Sequence, residues 1–188
     1  MVRISEQQKK RLQRVAQATY GNSHQKIGGY RLDHELSGRR VKVYHHPKEN
    51  RTIVAHRGSQ GLKDFAVSDA ALVLDSLLGT NLQTKTKRYK HAEKIQKQAE
   101  QKYKETDLTT VGHSLGGHLA RKVGSKGKVV TFNSAYDRFG GGSVDNPSEI
   151  NYRNQHDIVS KFFFNPKNTI IKKAKSMGIL NDHTIGAT

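Results

Sequence analysis

Residues 107–124, DLTTVGHSLGGHLARKVG, constrain the fold more than any other stretch of the chain. Leu108 to Val111 make a short run of strand length, and Leu115 to Val123 make an amphipathic run of helical length. Between them stands a single serine, Ser114, with Gly112, Gly116 and Gly117 around it. A strand that turns straight into a helix brings two backbones close together, and only small residues keep that turn free of clashes. The stretches GKVVTFNSA and EINYRNQ follow as two further strands, EINYRNQ ending at HDIVS. A succession of strand, helix, strand and strand predicts an α/β fold with a mostly parallel central sheet flanked by helices.

The rest of the chain fits around that unit. Residues 5–19 predict a helix with Ser5 as its N-cap and with Leu12, Val15, Ala16 and Thr19 on one face. YGNSHQKIGG breaks it. RRVKVYHHP and RTIVAHRGS, separated by the turn-forming HPKEN, predict a hairpin. A second helical region is expected at 62–79, with Phe65, Ala66, Leu72, Val73 and Leu77 on one face. A long charged helix is expected from Lys85 to Lys104, with Ile95, Ala99 and Tyr103 turned to the core. The last segment, 161–188, contains KFFF, a basic amphipathic stretch NTIIKKAKSMG and the tail ILNDHTIGAT. Neither a repeat nor a linker divides the chain, and 188 residues suit a single domain.

Composition narrows the function classes. The chain has 33 Lys plus Arg against 16 Asp plus Glu, a formal charge of +17. Such a surface attracts polyanions, either nucleic acid or an anionic membrane face, although the same charge also serves solubility alone. The absence of cysteine excludes disulfides and thiolate metal sites. The N-terminal stretch MVRISEQQKKRLQRVAQATYG lacks the apolar core of a secretory signal. FAVSDAALVLDSLLG is the nearest approach to a membrane span, and Asp69 and Asp75 interrupt it. The expectation is a soluble intracellular protein, in the cytosol, the nucleus or the interior of a particle.

Ser114 is the residue with chemical promise. At the start of a helix, the dipole and free N–H groups favour negative charge as it develops, and the N–H of Leu115 is a ready oxyanion donor. A serine nucleophile needs a base, and the base needs an orienting acid. Beyond the helix that follows Ser114 the chain offers His156 and His183. His156 directly precedes the best acid, so His183 is expected to be the base. Among Asp137, Asp145, Asp157 and Asp182, Asp157 ends the strand two places beyond the nucleophile strand, at the sheet edge that presents the serine. Asp137 is the reserve choice. Asp145 lies in a glycine-rich loop, and Asp182 adjoins His183.

Four stretches in order, over roughly residues 50–162, resemble the class 3 (fungal-type) lipase family of α/β-hydrolases. VGHSLGGHLA is similar to its nucleophile motif. IVAHRGSQGLKDFAVSD is similar to a strand ending in an R-G-S or R-G-T turn and a following acidic segment. VVTFNSA resembles its T-F-G-x-P strand, and YRNQHDIVSKF its N-x-x-D-I-V-P element. The resemblance implies a compact α/β-hydrolase-like fold, here with an N-terminal helix and hairpin. It implies a serine carboxylester hydrolase with Ser114, Asp157 and His183 as triad, working through an acyl-enzyme without metal or organic cofactor. It assigns the second oxyanion donor to Ser59, through its hydroxyl and N–H, and makes Arg57 with Asp64 or Asp69 braces of that turn. The chain departs from the family pattern at Asn133 (glycine), Ala135 (proline) and Ser160 (proline), and residues 60–79 offer little bulk for a lid. The implied substrate is an ester lipid, met at an anionic membrane surface. The rival reading is a weak or inactive hydrolase-fold protein that serves as a structural or nucleic-acid-binding component.

Overall fold

The computed structural model describes residues 4–21, 24–58, 87–124, 127–134, 146–157, 168–173 and 185. The helix expected at 62–79, the stretch that includes Ser59, and the tail residue His183 lie outside the described residues, as do Asp137, Asp145 and Asp182.

The helix expected first is α1, Glu6–Ala18. Ser5 caps it, its hydroxyl accepting the N–H of Gln8 at 3.1 Å. Lys26–Ile27 (β1) and Tyr30–Leu32 (β2) then pair as a miniature hairpin. The two residues between them, Gly28 and Gly29, have φ of 55° and 90°, which glycine adopts without penalty. The break expected at YGNSHQKIGG therefore holds β1 and the hairpin turn, with β2 directly after it, both strands too short to show a pattern. Val41–His46 (β3) and Arg51–His56 (β4) form the expected hairpin, in register from Val41↔His56 to His46↔Arg51.

From β4 onward the sheet is parallel. The helix Lys87–Lys102 (α2) precedes Asp107–His113 (β5), and Leu115–Val123 (α3) precedes Lys128–Phe132 (β6). Glu149–Asn154 (β7) and Thr169–Lys172 (β8) complete an eight-stranded sheet, strands in sequence order. The pairs β1 to β4 are antiparallel and the pairs β4 to β8 parallel. The fold is α/β-hydrolase-like, as expected. The stretch NTIIKKAKSMG was expected as a basic amphipathic segment, and its start is instead the strand β8. It pairs with β7 through its backbone while Ile171 stays exposed, so the side chains carry no burial pattern.

Alternation along the strands sends side chains to two cores. On one face Leu12, Val15 and Ala16 of α1 pack on Tyr44, Ile53, Ala55, Val111, Phe132, Ile150 and Tyr152. On the other face Ala99 of α2, with partly buried Ile95 and Tyr103, covers Leu36, Val41, Val43 and Val54. Removing these side chains from water supplies about 25 cal/mol per Å² of apolar surface. The outer side of α2 is solvated, with Lys87, Lys90, Lys94 and Lys97 exposed. Among the described residues no helix is long and apolar enough to cross a membrane.

The inner face of α2 is more polar than expected, because Gln96 joins Ala92 and Ala99 there. Gln96 donates to Thr110 Oγ1 and Glu100 Oε1, both at 2.9 Å, and its Oε1 lies 3.3 Å from His56 Nε2. Burial pushes the His56 imidazole down to about 4, helped by the Arg88 and His91 charges and opposed by the Gln96 bond. His56 stays neutral in the folded chain while an unfolded chain protonates it near pH 6.5, so stability falls as pH drops through that window. Between pH 7 and pH 5 this one group is expected to remove about 2 kcal/mol of stability. Urea unfolding of His56→Gln should lose that share of the pH dependence; an unchanged slope would assign the acid sensitivity to other groups.

Candidate active site

In the parallel part of the sheet the carboxyl ends of β4, β5, β6 and β7 lie along one edge. The Arg57–Gly58 turn leaves β4 there, Ser114 leaves β5, Asn133 leaves β6, and Asp157 follows β7 by three residues. Edges of this kind collect ligand sites in α/β sheets, because every loop that leaves a strand arrives at the same side.

Ser114 joins β5 to α3 with φ 56° and ψ −129°, a conformation that residues with a Cβ rarely adopt. A residue held this way costs on the order of 1–3 kcal/mol, and the surrounding packing must impose it. Its N–H donates to Phe132 O at 3.2 Å, and its carbonyl accepts from Gly117 N at 2.9 Å and His118 N at 3.2 Å. The N–H groups of Leu115 and Gly116 open the helix and have no acceptor within it. Glycines permit the approach. A Cβ on Gly112 would stand 2.1 Å from Gly116 O, and one on Gly116 would stand 2.2 Å from His56 O. The Ser114 hydroxyl itself is buried and, among the described residues, has no hydrogen-bond partner. A hydroxyl left so costs about 1–3 kcal/mol.

The turn opposite Ser114 is held from three sides. Arg57 N donates to Arg40 O at 2.9 Å, and Arg57 Nη1 to Arg39 O at 3.3 Å. Arg88 at the start of α2 donates through Nη2 to Arg57 O. Burial, with Arg40 and Arg57 nearby, draws the Arg88 guanidinium below its ordinary range. From the end of α1 comes Tyr20, whose hydroxyl accepts Gly58 N–H at 2.9 Å and lies 2.9 Å from His113 Nδ1. Burial pushes the Tyr20 phenol up to about 12, so it keeps its proton at neutral pH. Tyr20 and Arg88 were not among the residues singled out from the sequence. No local pattern marks them, since each acts across tens of residues.

Asp157 is fully buried, and its N–H donates to Asn154 O at 3.2 Å. Burial draws the Arg153 guanidinium below its ordinary range, opposed by the nearby Asp157 charge. The neighbouring loop is stitched by Asn133, whose Oδ1 accepts Asn154 N–H at 2.9 Å while its own N–H donates to Tyr152 O at 2.8 Å. Asn133 has φ 44°. Left-handed backbone is what glycine supplies most easily, and asparagine is among the other residues that tolerate it. That explains how Asn133 can stand where the sequence pattern has glycine. His156, the other histidine considered as base, has Nε2 2.7 Å from Gln155 Nε2. Among the described residues no group of three or more His, Asp or Glu is placed to hold a metal ion.

Ser114, the Gly58 turn and Asp157 thus follow the carboxyl ends of strands along one sheet edge, with the first turn of α3 against the Gly58 turn. Such an arrangement can present a hydroxyl that has no partner among the described residues beside backbone donors, on the same sheet edge as a buried carboxylate. A family model described as phospholipase-like, Tle-like phospholipase domain, matches residues 8–137. No protein of curated function matches by sequence. Among solved structures, a mutant MDLA protein from Penicillium cyclopium aligns over 99% of this chain and 92% of its own, with TM-score 0.60 and 14% identity. The Lip2 lipase from Yarrowia lipolytica aligns over 89% and 80%, with TM-score 0.56 and 14% identity. A triacylglycerol lipase described as having a serine protease triad as its catalytic centre aligns over 83% and 74%, with TM-score 0.57 and 13% identity. At these identities the likeness is one of fold.

Proposed function

The chain belongs to the Tle-like phospholipase domain family, and from that premise we propose that it is a serine carboxylester hydrolase acting on ester lipids. The observation that carries the proposal is the Ser114 hydroxyl, held at φ 56° on the strand-to-helix turn, buried and without a partner among the described residues. His183 takes the Ser114 proton, and the oxygen attacks the ester carbonyl. Asp157 orients His183 and stabilises the imidazolium. The oxyanion is held by the N–H of Leu115 and by Ser59. The leaving alcohol takes its proton from His183, and a water activated by the same histidine then releases the acid from the acyl-enzyme. Each oxyanion donor contributes about 2.7–4 kcal/mol to the transition state.

The family supports a phospholipid as the ester lipid, and the +17 charge supports an anionic membrane surface as the place where it is met. Each Lys or Arg near such a surface contributes about 1 kcal/mol. The exposed lysines of α2 belong to that basic surface, as do exposed Lys10, Arg14, Lys26 and Lys48. All 188 residues are read as one domain.

A fluorophosphonate probe tests the proposal directly. The expected result is one covalent adduct per chain, on a peptide whose modified residue is Ser114, with loss of esterase activity in proportion. Absence of labelling and of turnover on phospholipid micelles, triglyceride emulsions and short-chain esters would reject it. Salt-sensitive nucleic-acid binding by such an inert protein would then favour the structural, polyanion-binding reading.

A further inference from the structure

We propose that Tyr20 is a positioning residue for catalysis, its hydroxyl setting the gap between the Gly58 turn and the Ser114 elbow. The proposal rests on the serine hydrolase reading above. Tyr20 lies just beyond α1, far in sequence from both groups it joins. Its hydroxyl accepts Gly58 N–H at 2.9 Å, so that peptide is tied by an atom outside its own turn. The same oxygen lies 2.9 Å from His113 Nδ1 and 3.4 Å from His113 O, on the residue before the serine. With the His113 hydrogen on Nε2, the Tyr20 hydroxyl donates to Nδ1 and both of its roles are filled. One hydroxyl thereby bridges the two walls between which an oxyanion would lie.

The absence of a side chain at Gly58 makes room for this bridge. A Cβ there would stand 2.2 Å from the Tyr20 hydroxyl, 2.8 Å from His113 O and 3.3 Å from Ser114 Cβ. The geometry matters because an oxyanion donor must lie 2.7–3.1 Å from where the charge will be, and Gly58 leads directly into Ser59. Losing the Tyr20 hydroxyl would free the Gly58 peptide, to which the proposed donor Ser59 is joined. The ring has separate supports: it meets the His113 ring edge-on at 5.7 Å, and the Arg57 guanidinium lies 5.6 Å from its centre. Tyr20→Phe keeps those contacts and removes the hydroxyl alone.

Ester hydrolysis by Tyr20→Phe is expected to show kcat lowered about 10- to 100-fold with KM within about threefold of wild type, because the lost alignment is felt in the transition state. Rates are normalised to the titre of fluorophosphonate-reactive sites, so a partly unfolded sample does not imitate the effect. A second pair of variants reads the same link from the other wall. His113→Asn, which keeps a polar atom near Nδ1, should retain more kcat than His113→Leu, and His113→Leu should add little to Tyr20→Phe. A merely structural Tyr20 would lower melting temperature and titre while leaving kcat per titrated site unchanged, and that result overturns the proposal. Additive losses in the Tyr20→Phe, His113→Leu pair overturn it as well. An active wild type with an equally active Tyr20→Phe rejects the positioning role alone. A wild type that neither labels nor turns over rejects the hydrolase reading, and this role with it.

Discussion

Ester turnover is expected to fall about a million-fold in Ser114→Ala and in His183→Ala, about ten-thousand-fold in Asp157→Asn, and scarcely further when the substitutions are combined. The non-additivity is the informative part. A nucleophile, its base and the orienting acid act as one unit, so removing one member idles the others. Residual catalysis then comes from the oxyanion donors and binding, which all three variants keep. Asp157 is the most exacting test. It is fully buried beside Arg153, and asparagine preserves its shape while replacing one carboxylate oxygen by an NH2 donor, which on the proposed triad would turn the imidazole to the wrong tautomer. Circular dichroism and urea unfolding separate a folded, slow Asp157→Asn from a damaged one. The measurement is kcat/KM on a short-chain ester for all single and combined variants. A folded Asp157→Asn within about tenfold of wild type would move the acid role to Asp137. Losses that multiply across the variants would break the assignment of these residues to one unit.

What the sequence showed best was what repeats at short range. The 107–124 unit carries strand length, glycine spacing and helical periodicity in one stretch, and β5, the Ser114 turn and α3 appear where those signals put them. Ser5 and the face of α1 were legible for the same reason. Strands of two to four residues were not. β1 and β2 hold together by backbone pairing around Gly28 and Gly29, and β8 by pairing with β7, with few side chains buried to advertise them. Gly-Gly between two short runs is a hairpin signal, but runs of two and three residues are too brief to give it weight. Gln96 escaped notice because a polar residue on a charged helix reads as solvated until Thr110 and His56 are seen to face it. Tyr20 escaped for a stronger reason. Its chemistry is created by Gly58 and His113, and no spacing along the chain relates a residue to partners 38 and 93 positions away.

Gly116→Ala is expected to remove about 3 kcal/mol or more of stability, at or above the upper end of what overpacking usually costs. The added methyl would lie 2.2 Å from His56 O, 2.7 Å from Arg57 C and 2.8 Å from Gly58 N, all backbone atoms. Side chains can rotate away from a new methyl; a β4 backbone already paired to β3 and β5 cannot. Relief requires α3 to lift from the end of β4, and that movement would also carry Leu115 N–H away from the Gly58 turn. Stability and activity should therefore fall together, with melting temperature down by about 6–12 °C for a chain of this size. Gly112→Ala attacks the same gap from β5, since its methyl would stand 2.1 Å from Gly116 O. Combining the two should cost less than the sum, because α3 has then already moved. Gly38→Ala is the control: no atom lies within 4 Å of the added methyl, and its stability should stay within about 0.5 kcal/mol of wild type. If Gly116→Ala unfolds at the wild-type temperature with wild-type turnover, the contact between α3 and β4 is looser than the strained serine demands. The reason for Ser114's conformation would then have to be sought in the loops beyond it.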